Sequence, residues 1–262
     1  MSSLTQSTAI FGQDIFSDTG TTFVPLHKLG ELGHTPDGRK FRYVSVEPSS
    51  SQVTGQTAGA TLVSGNVIQS SAQVANHLAR TPVAAAIGAT TITISLGATA
   101  AFVNQYAGGY AIISTGPGNG YAYEIKSHPA AASSASALVL TLVDPVEVAL
   151  TTSSRVDLQR NAYAGVIQAP ITTATGAAVG VALHPIPAAT SGGATGQTYG
   201  WIQTYGSAAV LIDGTPAVGA MVVSTGAVAG AATIFSSTLQ IIGKMMTTGV
   251  DTKNNAVFLQ ID

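Results

Sequence analysis

The chain has 262 residues, and 8% of them are charged: ten Lys and Arg against twelve Asp and Glu, for a formal net charge of −2. An ordinary soluble domain carries roughly 25%, and charge is what keeps a folded monomer apart from its copies. The near-neutral balance excludes a global basic field for nucleic acid, and the absence of Cys excludes disulfides and thiolate metal sites. A compact chain of this size exposes on the order of 10,000 Å². So few charges spread over that area point to a surface that is largely covered by other protein.

The first residues, Met1-Ser2-Ser3-Leu4-Thr5-Gln6, carry no positive n-region and no apolar h-region, so no secretory signal is expected. Residues 1–34 show neither helical nor strand periodicity, and Gly12, Gly20, Gly30 and Gly33 break them up. They are expected to be an extended N-terminal arm. Thr35-Pro36-Asp37-Gly38 is a turn signal, and Phe41 to Val46 reads as the first strand. Strand signals then recur with Gly punctuation. Thr91 to Leu96 alternates strictly, placing Ile92, Ile94 and Leu96 on one face. Tyr110 to Ser114, Tyr121 to Ile125, Leu138 to Val143, Tyr199 to Tyr205, Met221 to Val223, Gln240 to Met246 and Val257 to Ile261 read in the same way. Val210-Leu211-Ile212 runs into the turn pair Asp213-Gly214. Gln73 to Ala79 could make two helical turns, but no sustained 3.6 period follows.

The pattern predicts an all-β protein, a Gly-punctuated β-barrel or sandwich. Residues 35–80 and 161–262 are expected to form its core, and 81–160 an inserted small β subdomain. Gly59 to Gly65 echoes Gly219 to Gly226, either by chance or as related pieces of one barrel. No charge falls between Arg80 and Glu124 or between Arg160 and Asp213. Polar residues and Gly interrupt both stretches, so membrane insertion is not expected.

Groups that could do chemistry are few. His27, His34, His77, His128 and His184 lack metal-ligand spacing, and no cofactor is expected. Gly116-Pro117-Gly118-Asn119-Gly120 is neither GxGxxG nor a P-loop and reads as a turn. The nearest carboxylate pairs are Asp144 with Glu147 and Asp14 with Asp18. Neither falls in an expected pocket, which glycoside hydrolysis needs. Basic residues concentrate between His27 and Arg42. His27, Lys28, Arg39, Lys40 and Arg42 read either as a solvated turn balanced by Glu31, Asp37 and Glu47 or as a docking element for an acidic protein surface. Alternation puts Tyr199, Trp201, Gln203 and Tyr205 on one strand face. Such a row is core packing or, more sharply, a glycan-stacking platform.

Three segments together resemble structural proteins of tailed-bacteriophage virions, above all capsid decoration (cement) proteins. They are Gly38 to Tyr43, then Tyr199 to Thr204 with Val210 to Gly214, and Ile242 to Met246 leading to Val257-Phe258-Leu259. Tyr106 to Tyr110 through Gly116 to Tyr121 is similar to an inserted module in such proteins. The resemblance implies a non-enzymatic protein, made in the host cytoplasm, that binds the outside of an assembled capsid. Its implied partners are the major capsid protein lattice and its own copies as a trimer, with no nucleic acid. The rival readings are a capsid shell or tail protein, and a glycan-binding module. A shell subunit of the common phage fold needs a long spine helix, which the pattern does not contain.

Overall fold

The computed structural model describes residues 25–49, 59–133, 136–171, 173–188, 197–224, 226–236 and 238–262. They form fifteen strands: β1 (Leu32–His34), β2 (Lys40–Val46), β3 (Val67–Gln69), β4 (Thr91–Ser95), β5 (Tyr110–Thr115), β6 (Ala122–Ser127), β7 (Ala137–Leu142), β8 (Arg155–Gln159), β9 (Ile167–Gln168), β10 (Ala178–Ala182), β11 (Thr198–Asp213), β12 (Met221–Ser224), β13 (Ala232–Ile234), β14 (Ile241–Met245) and β15 (Lys253–Gln260). The protein is all-β. Between Gln73 and Ala79, where two helical turns were conceivable, there is a single 3-10 turn at Ala75–His77. The Asn76 carbonyl there accepts from Gly97 N–H rather than continuing a helix.

β11 is the spine of the larger sheet. Its C-terminal half pairs antiparallel with β15, from Tyr205↔Gln260 to Ile212↔Lys253, and parallel with β13 at Ile212↔Ala232. β15 pairs with β14, β14 with β12, and β12 with β13. The five strands therefore close into a barrel, which removes free edges. Period-two alternation fills its interior with Val210, Ile212, Val222, Ile242, Val257 and Leu259.

The N-terminal half of β11 has different neighbours. It pairs with β2 along one edge and β10 along the other, and β3 and β9 extend the sheet beyond β10. Thr198 to Thr204 is buried on both faces. Tyr199 and Trp201 pack with Phe41 and Tyr43 on one side. Ile202 packs with Val44, Val46, Leu62, Ile68 and Ile186 on the other. β2 hands β11 over to β15 at Tyr205, which faces both Lys40 and Gln260. A bulge between Gln203 and Tyr205 marks this point. Gly206 follows at φ +91, where a Cβ would meet Arg39 Cγ at 2.8 Å. Glycine is needed here for both conformation and space.

The second sheet has the order β4-β7-β6-β5-β8. Its two outer strands are joined by residues 80–83. Arg80 exchanges both backbone hydrogen bonds with Val156 of β8, while Val83 N–H donates to Thr93 O and Ser95 N–H to Thr81 O on the β4 side. Its core, including Ile92, Ile94, Ile113, Ile125, Leu138 and Leu140, comes entirely from residues 85–158. β8 escaped the sequence reading because it offers only two apolar residues, Val156 and Leu158, alternating with Arg155, Asp157 and Gln159.

One expectation needs correction, and one open alternative is decided. Of the expected arm, residues 1–24 lie outside the described residues, and residues 25–34 are folded onto the larger sheet. Gly30 N–H donates to Tyr43 O, Tyr43 N–H donates to Glu31 O, and β1 pairs with β2 from Leu32↔Arg42 to His34↔Lys40. Three residues are too short to show a period. The echo between 59–65 and 219–226 is not a structural repeat. The later copy contains barrel strand β12, whereas the earlier makes one bridge, Leu62↔Ile186.

Candidate docking face

β2 alternates between inward Phe41 and Tyr43 and outward Lys40 and Arg42. The basic side chains therefore stand on the outer side of the sheet, but they do not form one open patch. Arg39 Nε is 2.8 Å from Asp37 Oδ2, and Arg42 Nε is 2.6 Å from Asp262 Oδ2. Arg42 Nη1 also donates to Gly30 O at 2.8 Å. Hydrogen bonds from the Thr35 hydroxyl and from Arg39 hold the Asp37 carboxyl below its ordinary range. Arg42 does the same for Asp262. His27 Nδ1 lies 3.4 Å from Glu31 Oε1, and its ring meets Tyr43 and Trp201 edge-on, with centroids 5.2 and 5.1 Å away. His27 thus covers an aromatic cluster. Lys28 is exposed, and its backbone N–H donates to Glu31 Oε2.

Lys40 belongs to a different constellation. Its Nζ lies 5.2 Å from the Tyr205 ring centroid. The Tyr205 ring meets Phe258 edge-on, at 5.2 Å and 80°. Lys244 Nζ lies 5.7 Å from the Phe258 ring. Among the described residues, neither lysine has a carboxylate within salt-bridge distance. Strand register builds this row, because Lys244 stands opposite Phe258 and Met221 stands opposite Lys244. Beside it, the turn at Asp37, Gly38 and Arg39 and the side chains of Tyr205, Ser207 and Phe258 bound an open hollow of about 420 Å³. Lys244 and Phe258 fall in the segments that carry the resemblance but were not picked out from sequence as site residues. One signal was available: Lys244 is the only charged residue between Asp213 and Asp251.

The aromatic row on β11 is divided by the bulge. Trp201 is 0% exposed and Tyr199 6%, so both are interior packing and neither can stack on a sugar. The Tyr43 and Tyr199 rings are stacked at 5.9 Å, and among the described residues Trp201 Nε1 has no hydrogen-bond partner. Tyr205, past the bulge, is half-buried on the outside. Sequence alternation carries no mark of a bulge, so it put all three in one row.

Two further polar constellations lie inside. His77 Nε2 donates to Thr99 O at 2.8 Å, and Nδ1 accepts from the Tyr106 hydroxyl. The Tyr106 backbone N–H donates to His128 Nε2 at 2.9 Å, and His128 Nδ1 donates to Pro129 O at 2.8 Å. Each imidazole therefore serves as donor on one nitrogen and acceptor on the other, which is the neutral form. Burial lowers both pKa values, against the opposing pull of the carbonyl partners. A cleft of about 330 Å³ separates residues 70–78 from β8. Its charged groups are already engaged: Asp157 Oδ1 accepts from Ala79 N–H, and Arg160 Nη1 is 2.8 Å from Glu47 Oε2. Asp144 and Glu147 are both exposed, while Asp14 and Asp18 lie outside the described residues. Among the described residues, no group of three His, Cys, Asp or Glu is placed to hold a metal ion.

No protein-family model, curated protein or solved structure matches this chain.

Proposed function

We propose that this chain is a non-enzymatic structural protein of a tailed-bacteriophage virion. It binds the outer surface of the assembled capsid as a decoration protein, in homotrimers, and braces neighbouring capsomers. The observation that carries the reading is the poverty of charge combined with exposed apolar side chains. Ile87, Val218, Ile234 and Val250 are each more than half exposed, and Val83, Met221, Phe235 and Met246 are close to or above half. Contiguous exposed apolar groups mark surfaces that meet other protein, and Met221 and Phe235 lie side by side, joined by a backbone hydrogen bond. The segment resemblance supports the same role. Burial of Trp201 and Tyr199 takes away two of the three aromatic side chains on which a glycan-binding module was conceivable and leaves Tyr205 alone on the outside.

Many weak contacts repeated on a lattice gain avidity, so affinity depends on assembly. The test is co-sedimentation of the purified protein with assembled capsids and with unassembled capsid subunits. Binding to capsids alone is expected, with trimers in mass photometry. Equal binding to both, or to neither, overturns the role.

A further inference from the structure

The row Lys40–Tyr205–Phe258–Lys244 is partly exposed, and nothing within the described chain completes it. Each ammonium sits over an aromatic ring, and among the described residues neither has a carboxylate within salt-bridge distance; the nearest influence is that of Lys40 on Asp262, whose carboxylate Arg42 already holds. The row continues across the barrel into apolar surface. Met221 is opposite Lys244 and 50% exposed, and Phe235, 45% exposed, donates its N–H to Met221 O at 2.9 Å. Charge and apolar area thus alternate along one line that crosses the strands.

We propose that this row is the docking site for an extended acidic segment of a partner protein, one in which carboxylates alternate with apolar side chains. The inference rests on the capsid-decoration reading only in taking the partner to be a protein. Charge complementarity chooses the occupant. Lys40, Lys244, Arg39 and Arg42 stand on this side with Asp37 and Asp262, so the local side-chain sum is positive on a chain of formal net charge −2. Both arginines already hold a carboxylate, which leaves the two lysines to receive the partner's. A lysine resting on a ring is pre-placed at little further entropic cost, and opposite charges there set register and partner choice. Nucleic acid fits less well, because phosphate binding draws its strength from many cations acting together and this row offers two. The apolar groups Met221, Phe235 and Phe258 match the side chains that lie between a partner's carboxylates.

The probe is a fluorescein-labelled decapeptide alternating Glu and Leu, with an alternating Lys and Leu peptide and a ten-nucleotide single strand as comparators. Fluorescence anisotropy at low salt should show binding of the acidic peptide above both comparators. Binding should weaken as salt rises. Lys40→Glu/Lys244→Glu should weaken it by about tenfold or more, and Lys40→Gln/Lys244→Gln by less. Both variants change exposed side chains, and circular dichroism melts check that they stay folded. The proposal is overturned if the acidic peptide does not bind, if the charge reversal leaves its binding unchanged, or if the oligonucleotide binds more tightly. Peptide binding without capsid binding keeps this site and refutes the decoration role. Capsid binding unaffected by Lys40→Glu/Lys244→Glu keeps the role and refutes this site.

Discussion

Trp201 illustrates how one residue's role turns on its surroundings. Its ring is enclosed by Tyr43 and His27, edge-on on both sides. Replacing a buried Trp by Ala removes transfer energy and leaves a cavity, so Trp201→Ala is expected to cost about 3–5 kcal/mol in urea unfolding. A loss of unfolding free energy below one tenth of that would mean the ring is not packed as described. His77 and His128 carry a second prediction. Burial lowers their pKa values, so below about pH 6.5 the unfolded chain takes up protons that the folded chain refuses. Their contribution is complete above that pH and is lost as pH falls through it. Arg80 acts in the same direction on His77, and His77 on His128. Arg160 is the charged neighbour of Tyr106, which lies between them. Denaturation midpoints should drop between pH 7.5 and 5.5, and His77→Gln/His128→Gln should flatten that slope. An unchanged slope would count against the neutral pair.

At the scale of elements, β11 has to serve two sets of neighbours. Its first half needs burial on both faces, so it reads Tyr-Gly-Trp-Ile-Gln-Thr with no charge. Its second half alternates, with Ala208, Val210 and Ile212 inward and Ser207 and Ala209 outward. The bulge and Gly206 join the two halves. Gly206→Ala places a Cβ against Arg39 at a positive φ and should destabilise by about 1–3 kcal/mol. Thermal unfolding measures it, and a neutral result would show that the handoff tolerates an ordinary backbone. The segment over residues 25–31 is also an element of the fold, although it lacks regular structure. His27 and Leu29 complete the cover of the aromatic cluster. Truncations meant to probe residues 1–24 should therefore stop before Pro25.

For the whole molecule, the contact between the two sheets matters most. Glu47 follows β2 and Arg160 follows β8, and their side chains, 5% and 9% exposed, form a buried ion pair. Burial pushes the Glu47 carboxyl up, and Arg160 pulls it back down. Gly165 makes room for the pair, since a Cβ there would lie 2.0 Å from Glu47 Oε2 and 2.3 Å from Arg160 Nη2. Glu47→Ala would leave Arg160 charged and unpartnered in the interior. A loss of about 3–5 kcal/mol is expected, read by calorimetry. A loss near zero would mean that water already reaches the pair. The scarcity of charge also belongs to this scale. No single position explains it; it is a property of the whole surface, and the proposed protein-binding role is read from it.

Strand class and much of the core were legible in the sequence, because a strand's side-chain period is local. Ile92 and Ile94 alternate in the sequence and are buried as a pair. Glycine punctuation separated the strands for the same reason. Contacts between distant residues leave no local mark. Arg42 meets Asp262 across 220 positions, and Lys244 meets Phe258 only because β14 and β15 pair in one register. Tertiary structure alone decided that Trp201 is interior and Tyr205 exterior, since a bulge changes which side of the sheet a residue faces without altering the pattern of residue types.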